Sequence, residues 1–304
     1  MKHLSLRFMV CVMVLGLVMT ACASPSPTSQ PATPTPMPSG MVDVGGYKLF
    51  YKCSGQGGPT VILEAGGGAD STVWSKVMGA VEGTTRVCAY DRAGLGRSDE
   101  ASKPRIAQDM VRDLNALLVN AHIGGPYILV GHSGGGLVVR AFADQYPGEV
   151  SGLVLVDSAH PEMGARLLAG LPPGSAEEPD SIRAWRQWFT WMVDSKKSPL
   201  QDAEGWDNRA VNEQVKAAKP LGGLPLVVIS RSPDNPFLAN MPELPTETNA
   251  ALRQIWQDLQ AELAELSSNT TRVIAAQAGH DIPNEEPELV IEAIRMLVDG
   301  VRSQ

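Results

Sequence analysis

Apolar residues along this chain fall into short unbroken runs, separated by stretches with helical spacing. Residues 60–64, 86–90, 127–130, 153–156, 226–229 and 272–276 read as strands, because each run is too short and too continuous for an amphipathic helix. Residues 42–53 read as a strand pair turning at Gly45-Gly46. Between these runs the period changes. A helix is expected over 75–82. Residues 106–121 place Met110, Leu114, Leu117 and Leu118 on one helical face. A further helix runs from Gly136 to Tyr146 and stops before Pro147, and residues 286–301 form a last amphipathic one. Strands that are apolar on both faces and alternate with helices predict an α/β protein, with a mostly parallel central sheet covered by helices on both faces.

One stretch breaks this rhythm. Between about 160 and 224 no sheet strand is evident, and the segment holds Trp185, Trp188, Trp191 and Trp206, four of the six tryptophans, together with Phe189. Trp185, Trp188 and Phe189 share a helical face at i, i+3 and i+4. Helical packing explains part of such a stripe. The functional expectation is a helical lid insertion whose Trp185, Trp188 and Phe189 help line a substrate pocket.

The first 21 residues read as a signal peptide and not as part of the fold. Lys2 and Arg7 accompany an apolar core from Phe8 to Met19, too short for a comfortable membrane span. Met19-Thr20-Ala21-Cys22 resembles a bacterial lipobox, although Met stands where Leu is more usual. Cys22 is then the lipidated first residue of the mature chain. Residues 22–40, rich in Pro, Ser and Thr, cannot pack a core and read as an extended tether. The expected location is the bacterial cell envelope, anchored to the membrane through Cys22; a plain secretory signal and a soluble exported protein is the alternative. Of four cysteines, Cys11 lies in the leader and Cys22 is the lipid site. Cys53 and Cys88 remain in an exported domain, where disulfides persist, and are expected to pair, with two buried free thiols as the alternative.

Residues 41–304 are then one domain. A chain that is 43% hydrophobic and 19% charged can bury a large core, and its net charge of −8 without basic stretches argues against a nucleic-acid partner. The chain has no H-E-x-x-H and no clustered Cys/His set. The glycines at 65–68 fit neither a phosphate loop nor a dinucleotide fingerprint. No metal or cofactor is therefore expected, and no obligate protein partner is evident.

The chemistry concentrates at Gly131-His132-Ser133-Gly134-Gly135. This G-x-S-x-G set directly follows an apolar strand and directly precedes a helix. A serine forced onto a tight strand-to-helix turn projects its hydroxyl away from the sheet. Ser133 is the expected nucleophile, and a neutral hydroxyl needs a base to take its proton. His280, in Ala278-Gly279-His280-Asp281 after a strand, is the expected base. His3 lies in the leader, His122 at a helix end and His132 inside the turn, which leaves His160 as the one rival.

From about 42 to 302 the chain resembles an α/β-hydrolase. Besides the serine turn, Tyr90-Asp91-Arg92-Ala93-Gly94-Leu95-Gly96-Arg97-Ser98 resembles the turn after this superfamily's fourth strand. Gly279-His280 stands where the superfamily places its catalytic histidine, and 153–160 resembles the segment after the sixth strand. The resemblance implies a Ser-His-acid triad. Asp157 stands about two dozen residues past Ser133, where dehalogenase-like members carry the acid, and is preferred. Asp234, after the strand at 226–229, is the alternative. Backbone N–H groups of Gly134 and of Gly67, within Gly66-Gly67-Gly68, are the expected oxyanion donors. This chain departs from the common pattern by carrying Glu64-Ala65-Gly66 where His-Gly is usual. Haloalkane dehalogenases and epoxide hydrolases would carry Asp at position 133.

The leading expectation is a hydrolase that cleaves small-molecule carboxylic esters through an acyl-enzyme. Amide, peptide or lactone cleavage on the same triad is the alternative, and a catalytically silent binding protein is the alternative from another class.

Overall fold

The computed structural model describes residues 39–198, 202–232 and 243–303. Its strands are β1 (Ser39–Asp43), β2 (Lys48–Ser54), β3 (Thr60–Glu64), β4 (Val87–Tyr90), β5 (Tyr127–His132), β6 (Val150–Val156), β7 (Leu226–Arg231) and β8 (Thr270–Ala275). The helices are α1 (Ser75–Val81), α2 (Ala107–Asn120), α3 (Gly135–Gln145), α4 (Met163–Gly170), α5 (Asp180–Val193), α6 (Asn208–Lys216), α7 (Thr246–Ala264), α8 (Ile282–Glu285) and α9 (Pro287–Arg302).

The strands make one sheet in the order β1-β2-β4-β3-β5-β6-β7-β8. β1 and β2 form an antiparallel hairpin, and β2 joins β4 antiparallel; every other pairing is parallel. Alternating side chains of the central strands enter two separate cores. Leu129, Leu153, Leu155 and Val228 pack with Val111, Leu114 and Leu117 of α2 and Phe142 of α3. Ile128, Val130, Val154 and Ile229 pack with Val77 and Val81 of α1 and Val290, Ile294 and Val298 of α9. An aliphatic run buried on both faces is what the parallel pattern required. Each such side chain contributes roughly 1.5–3 kcal/mol on burial. The chain is an α/β fold of the expected kind, with helices on both faces.

Cys53 and Cys88 face each other across the β2–β4 pairing and are joined by a disulfide. None of the described helices is long and apolar enough to cross a membrane. The expected leader, tether and Cys22 lie outside the described residues.

Several boundaries shift by one to three residues: β6 begins at Val150, α3 at Gly135 and β8 at Thr270. Two helices, α7 and the single-turn α8, go beyond those the sequence pattern predicts. The longer one is α7. It buries Leu252, Trp256, Leu259 and Leu263, an i, i+4, i+7, i+11 stripe, against the core. The described residues between β6 and β7 contribute α4, α5 and α6 and no sheet strand. With α7 these helices build a third cluster, in which Met163, Leu167, Phe189, Trp206, Val211, Leu252 and Trp256 pack together.

Candidate active site

All the parallel strands point the same way, so their carboxyl ends meet along one edge of the sheet. Ser133 follows β5 there, Asp157 follows β6, and His280 lies in the loop after β8. Ser133 has φ 51°, in the left-handed region, and Asp157 has φ 41°. Such backbone strain costs of order 1–3 kcal/mol and persists only where the surroundings enforce it. Here the Ser133 N–H donates to the Val156 carbonyl (3.1 Å), and its own carbonyl accepts from Gly136 (3.1 Å) and Ala159 (2.9 Å). The glycines of the motif serve close approach. A Cβ on Gly131 would lie 2.7 Å from Val139 Cγ2 and 2.8 Å from the Gly135 carbonyl. One on Gly135 would press into the carbonyls of Ala65 and Glu64.

Three side chains come together at this edge. His280 Nε2 lies 3.0 Å from Ser133 Oγ, and His280 Nδ1 lies 2.6 Å from Asp157 Oδ2. Asp157 is completely buried. Its Oδ2 also accepts from Arg231 Nη1 at 2.9 Å, and its Oδ1 accepts from the Arg231 N–H at 3.2 Å. Burial lowers the Arg231 pKa from its ordinary range, and the Asp157 charge opposes that shift. The Arg231 guanidinium also lies over the Trp256 ring at 4.1 Å. Asp234, the alternative acid, lies outside the described residues. His160 lines the same cavity but faces elsewhere. Its Nδ1 accepts from the Glu162 N–H at 3.2 Å and its Nε2 lies 3.6 Å from Glu262. Burial, then the charge of Arg140, pushes its pKa down to about 4. Arg166 donates to both Glu162 and Glu262, so those carboxylates are already satisfied.

His132, inside the turn, does more than occupy space. It is 6% exposed and lies against the His280 ring at 4.7 Å, with Trp74 edge-on at 6.4 Å. Burial, then the neighbouring His280, pushes its pKa down to about 4, so it is neutral. Its Nε2 lies 2.8 Å from the His280 carbonyl. A carbonyl only accepts, so Nε2 carries the proton and donates it, which pins the backbone of the candidate base.

Gly67 and Gly134 also meet here. A Cβ on Gly134 would lie 3.3 Å from the Gly67 nitrogen and 3.4 Å from the Trp206 ring. Behind the loop sits a buried charged cluster that the sequence alone left unexplained. Glu64 is fully buried and pairs with Arg92 and with the Tyr90 hydroxyl. Arg92 also pairs with Glu204 (Nε–Oε2 2.5 Å) and donates to the carbonyls of Ala65 and Gly66, each at 2.6 Å. Burial raises the Glu64 carboxyl despite the Arg92 charge. Burial also acts to raise Glu204, but the charge and hydrogen bonds of Arg92 and the Gly68 N–H outweigh it and leave that carboxyl lowered. No local motif marks Glu204; its partner Arg92 lies within the 90–98 turn, but the pairing is visible only in three dimensions.

A cavity of about 230 Å³ opens onto Ser133, His280, Gly67 and Gly134. Trp188, Trp191, Trp206, Trp256, Met163 and Met192 supply apolar walls, and Asp202, Asn208 and Asn212 supply polar ones. Of the three aromatic residues singled out in the sequence, Trp188 lines this cavity, and Phe189 and Trp185 are not among its lining residues. Phe189 is fully buried in the third cluster, and Trp185 packs against Trp188 and Phe189 at ring separations of 5.3 and 5.7 Å. The expected aromatic face was rotated: on α5 the residues facing the cavity are Trp188, Trp191 and Met192, again at i, i+3 and i+4.

A family model of the alpha/beta hydrolase fold matches residues 59–221, and the chain belongs to that family. It is similar to the uncharacterized protein YqjL of Bacillus subtilis, with 28% identity over 246 residues covering 79% of this chain and 83% of that one. Among solved structures it is similar to a thermophilic esterase from Thermogutta terrifontis, at 21% identity and TM-score 0.56, over 87% of this chain and 99% of that one. It is also similar to a haloalkane dehalogenase variant from Bradyrhizobium elkanii, at 17% identity and TM-score 0.62, over 88% and 98% of the two chains.

Proposed function

We propose that this protein is a serine hydrolase that cleaves carboxylic esters through an acyl-enzyme, with Ser133 as nucleophile, His280 as base and Asp157 as the orienting acid. The observation that carries the reading is the unbroken line from Asp157 through His280 to Ser133, at 2.6 and 3.0 Å, opening onto a cavity. Ser133 Oγ attacks the ester carbonyl carbon while His280 Nε2 takes its proton. The carbonyl electron pair moves to oxygen, which the N–H groups of Gly67 and Gly134 receive. Collapse of this intermediate breaks the ester C–O bond, and the departing alkoxide takes the proton from His280. Water, deprotonated by His280, then attacks the acyl carbon; the bond from that carbon to Ser133 Oγ breaks, Oγ takes the proton back from His280, and the acid leaves. Buried Asp157 holds the proton on Nδ1 throughout, which keeps the Nε2 lone pair available.

Ser at 133 sets this chemistry apart from the dehalogenase neighbour's, since alkyl-enzyme chemistry of that kind needs a carboxylate nucleophile. The cavity is small beside typical ligand pockets of roughly 300–1,000 Å³, which favours short acyl chains or a compact aromatic group. The helices between β6 and β7 serve as a lid over it. The protein is exported and tethered to a membrane through Cys22, a placement favoured by the leader sequence and by the Cys53–Cys88 disulfide.

The test treats the full-length protein with a fluorophosphonate probe and with p-nitrophenyl esters of increasing chain length. Wild type is expected to be labelled and to turn over the short esters, and Ser133→Ala to do neither. Folded wild type that shows neither activity would sink the proposal. Incorporation of a palmitate analogue that disappears in Cys22→Ser tests the anchor; its absence from wild type would refute it.

A further inference from the structure

We propose that Arg92 and Glu204 are positioning residues that aim the Gly67 N–H at the oxyanion, so that the segment between β6 and β7 takes part in stabilising the transition state. This rests on the hydrolase reading above and assigns a role to the buried cluster that the triad leaves unused.

Peptide planarity fixes the direction of the donor. The Gly66 carbonyl and the Gly67 N–H belong to one planar trans unit, so they point in opposite directions. Arg92 Nη2 holds that carbonyl at 2.6 Å, which turns the Gly67 N–H away from Arg92. The Gly67 nitrogen lies 3.3 Å from where a Cβ on Gly134 would stand, beside the nucleophile, and both glycines line the cavity. The peptide on either side is held by the same pair of residues. Arg92 Nη1 takes the Ala65 carbonyl at 2.6 Å, and Glu204 Oε1 accepts from the Gly68 N–H at 2.8 Å.

Glu204 also sets the plane of the guanidinium. Its carboxylate takes Arg92 Nε at 2.5 Å and Nη2 at 3.0 Å, a two-point contact that a lysine could not make. Glu204 is itself held still. The Gly205 carbonyl accepts from the Arg105 N–H at 2.8 Å, the Asp207 N–H donates to the Arg105 carbonyl at 2.8 Å, and Asp202 Oδ1 accepts from the Gly205 N–H at 2.5 Å. The residues around Glu204 therefore form a fixed strap across the 91–105 loop. Through Arg92 that strap sets the loop that commonly relies on a His-Gly pair elsewhere in the superfamily, at the position where this chain carries Glu64.

The experiment compares Glu204→Gln with wild type on a short p-nitrophenyl ester. It also measures inhibition by butylboronic acid, a mimic of the tetrahedral intermediate, and by butyrate, a ground-state product. Glutamine keeps the size and can still accept from Gly68, but it loses the charge and turns an N–H toward Arg92. Removing an oxyanion donor costs about 100- to 1,000-fold in kcat, and misaiming one should cost about 10- to 100-fold. The boronate should weaken by a similar factor, while KM and butyrate binding stay within about threefold. Glu213→Gln, exposed on α6, should leave kcat unchanged.

Unchanged kcat in folded Glu204→Gln overturns the proposal. So does a parallel loss of boronate and butyrate binding, which signals a collapsed pocket. Should Glu204→Gln not accumulate as folded protein, Arg92→Lys is read by the same criteria; if neither folds, the pair is structural and the proposal falls. Wild type that turns over no ester and binds no boronate would mean that the hydrolase reading itself has failed, and this outcome is distinct from active variants beside an active wild type.

Discussion

Replacing Asp157 by Asn separates two roles that one buried carboxylate plays. In the wild type Oδ2 accepts from His280 Nδ1 at 2.6 Å and from Arg231 Nη1 at 2.9 Å. An asparagine amide can present its N–H2 to Nδ1, which favours the tautomer with the proton on Nε2 and removes the lone pair that Ser133 needs. By analogy with the corresponding change in serine proteases, kcat should fall about 10⁴-fold, or roughly 5 kcal/mol in barrier height. The same change takes a buried negative charge away from the Arg231 guanidinium, and breaking a buried ion pair costs about 3–5 kcal/mol of stability. The two effects part in the double variant Asp157→Asn/Arg231→Met, which removes both charges. It should recover most of the lost stability in urea unfolding and none of the lost turnover. Assays at a temperature where circular dichroism shows each variant folded complete the test. If folded Asp157→Asn retains more than about a tenth of wild-type kcat, Asp157 is not the acid, and Asp234 becomes the residue to replace.

Other perturbations follow from the same structure. His132 is held neutral with its pKa near 4, against about 6.5 in an unfolded chain, so below pH 6.5 the unfolded state binds the extra proton first. Its contribution is fully present above pH 6.5 and is lost as pH falls toward 4, by up to about 3 kcal/mol. Urea midpoints should drop between pH 7.5 and 4.5, and less so in His132→Asn; identical slopes in the two proteins would count against a buried neutral imidazole. His132→Asn should also lower kcat about 10-fold with little change in KM, because the His280 backbone loses its anchor. Cys53→Ser should cost about 4 kcal/mol on the loop-entropy estimate for a 35-residue separation, seen as a large drop in Tm that matches wild type treated with reductant. Gly135→Ala drives a methyl into the Ala65 and Glu64 carbonyls and should abolish turnover even where folded protein is recovered, a result read by fluorophosphonate labelling.

Much of this architecture was legible because it rests on local pattern. The apolar runs at 127–130 and 226–229 could only be buried strands, and a serine between a strand and a glycine-rich helix start pointed to a tight turn before any coordinates. The stripe of α7 was equally present in Leu252, Trp256, Leu259 and Leu263, but the polar residues interleaved with it, such as Gln254 and Gln257, left it unread. The α5 face was misjudged for a different reason. Trp185, Trp188, Phe189, Trp191 and Met192 spread over about half of the helix circumference, so spacing alone does not say which part of that broad face meets the cavity and which part packs in the core. The charged cluster could not be read at all. Glu64, Arg92 and Glu204 are far apart in sequence, and only the fold shows that one arginine holds both acids and two carbonyls of the same loop. Asp157 and Asp234 both follow an apolar strand in sequence, so residue type alone does not choose between them.

Acyl-enzyme chemistry requires a covalent acyl group on Ser133. Rapid mixing of the full-length protein with p-nitrophenyl butyrate, quenched in acid within the first turnover and followed by intact-mass measurement and peptide mapping, tests it directly. The expected result is a mass increase equal to one butyryl group, located on the peptide that contains Ser133, absent from Ser133→Ala and cleared on longer incubation. Turnover without any acylated species, or a butyryl group on another residue, would contradict it.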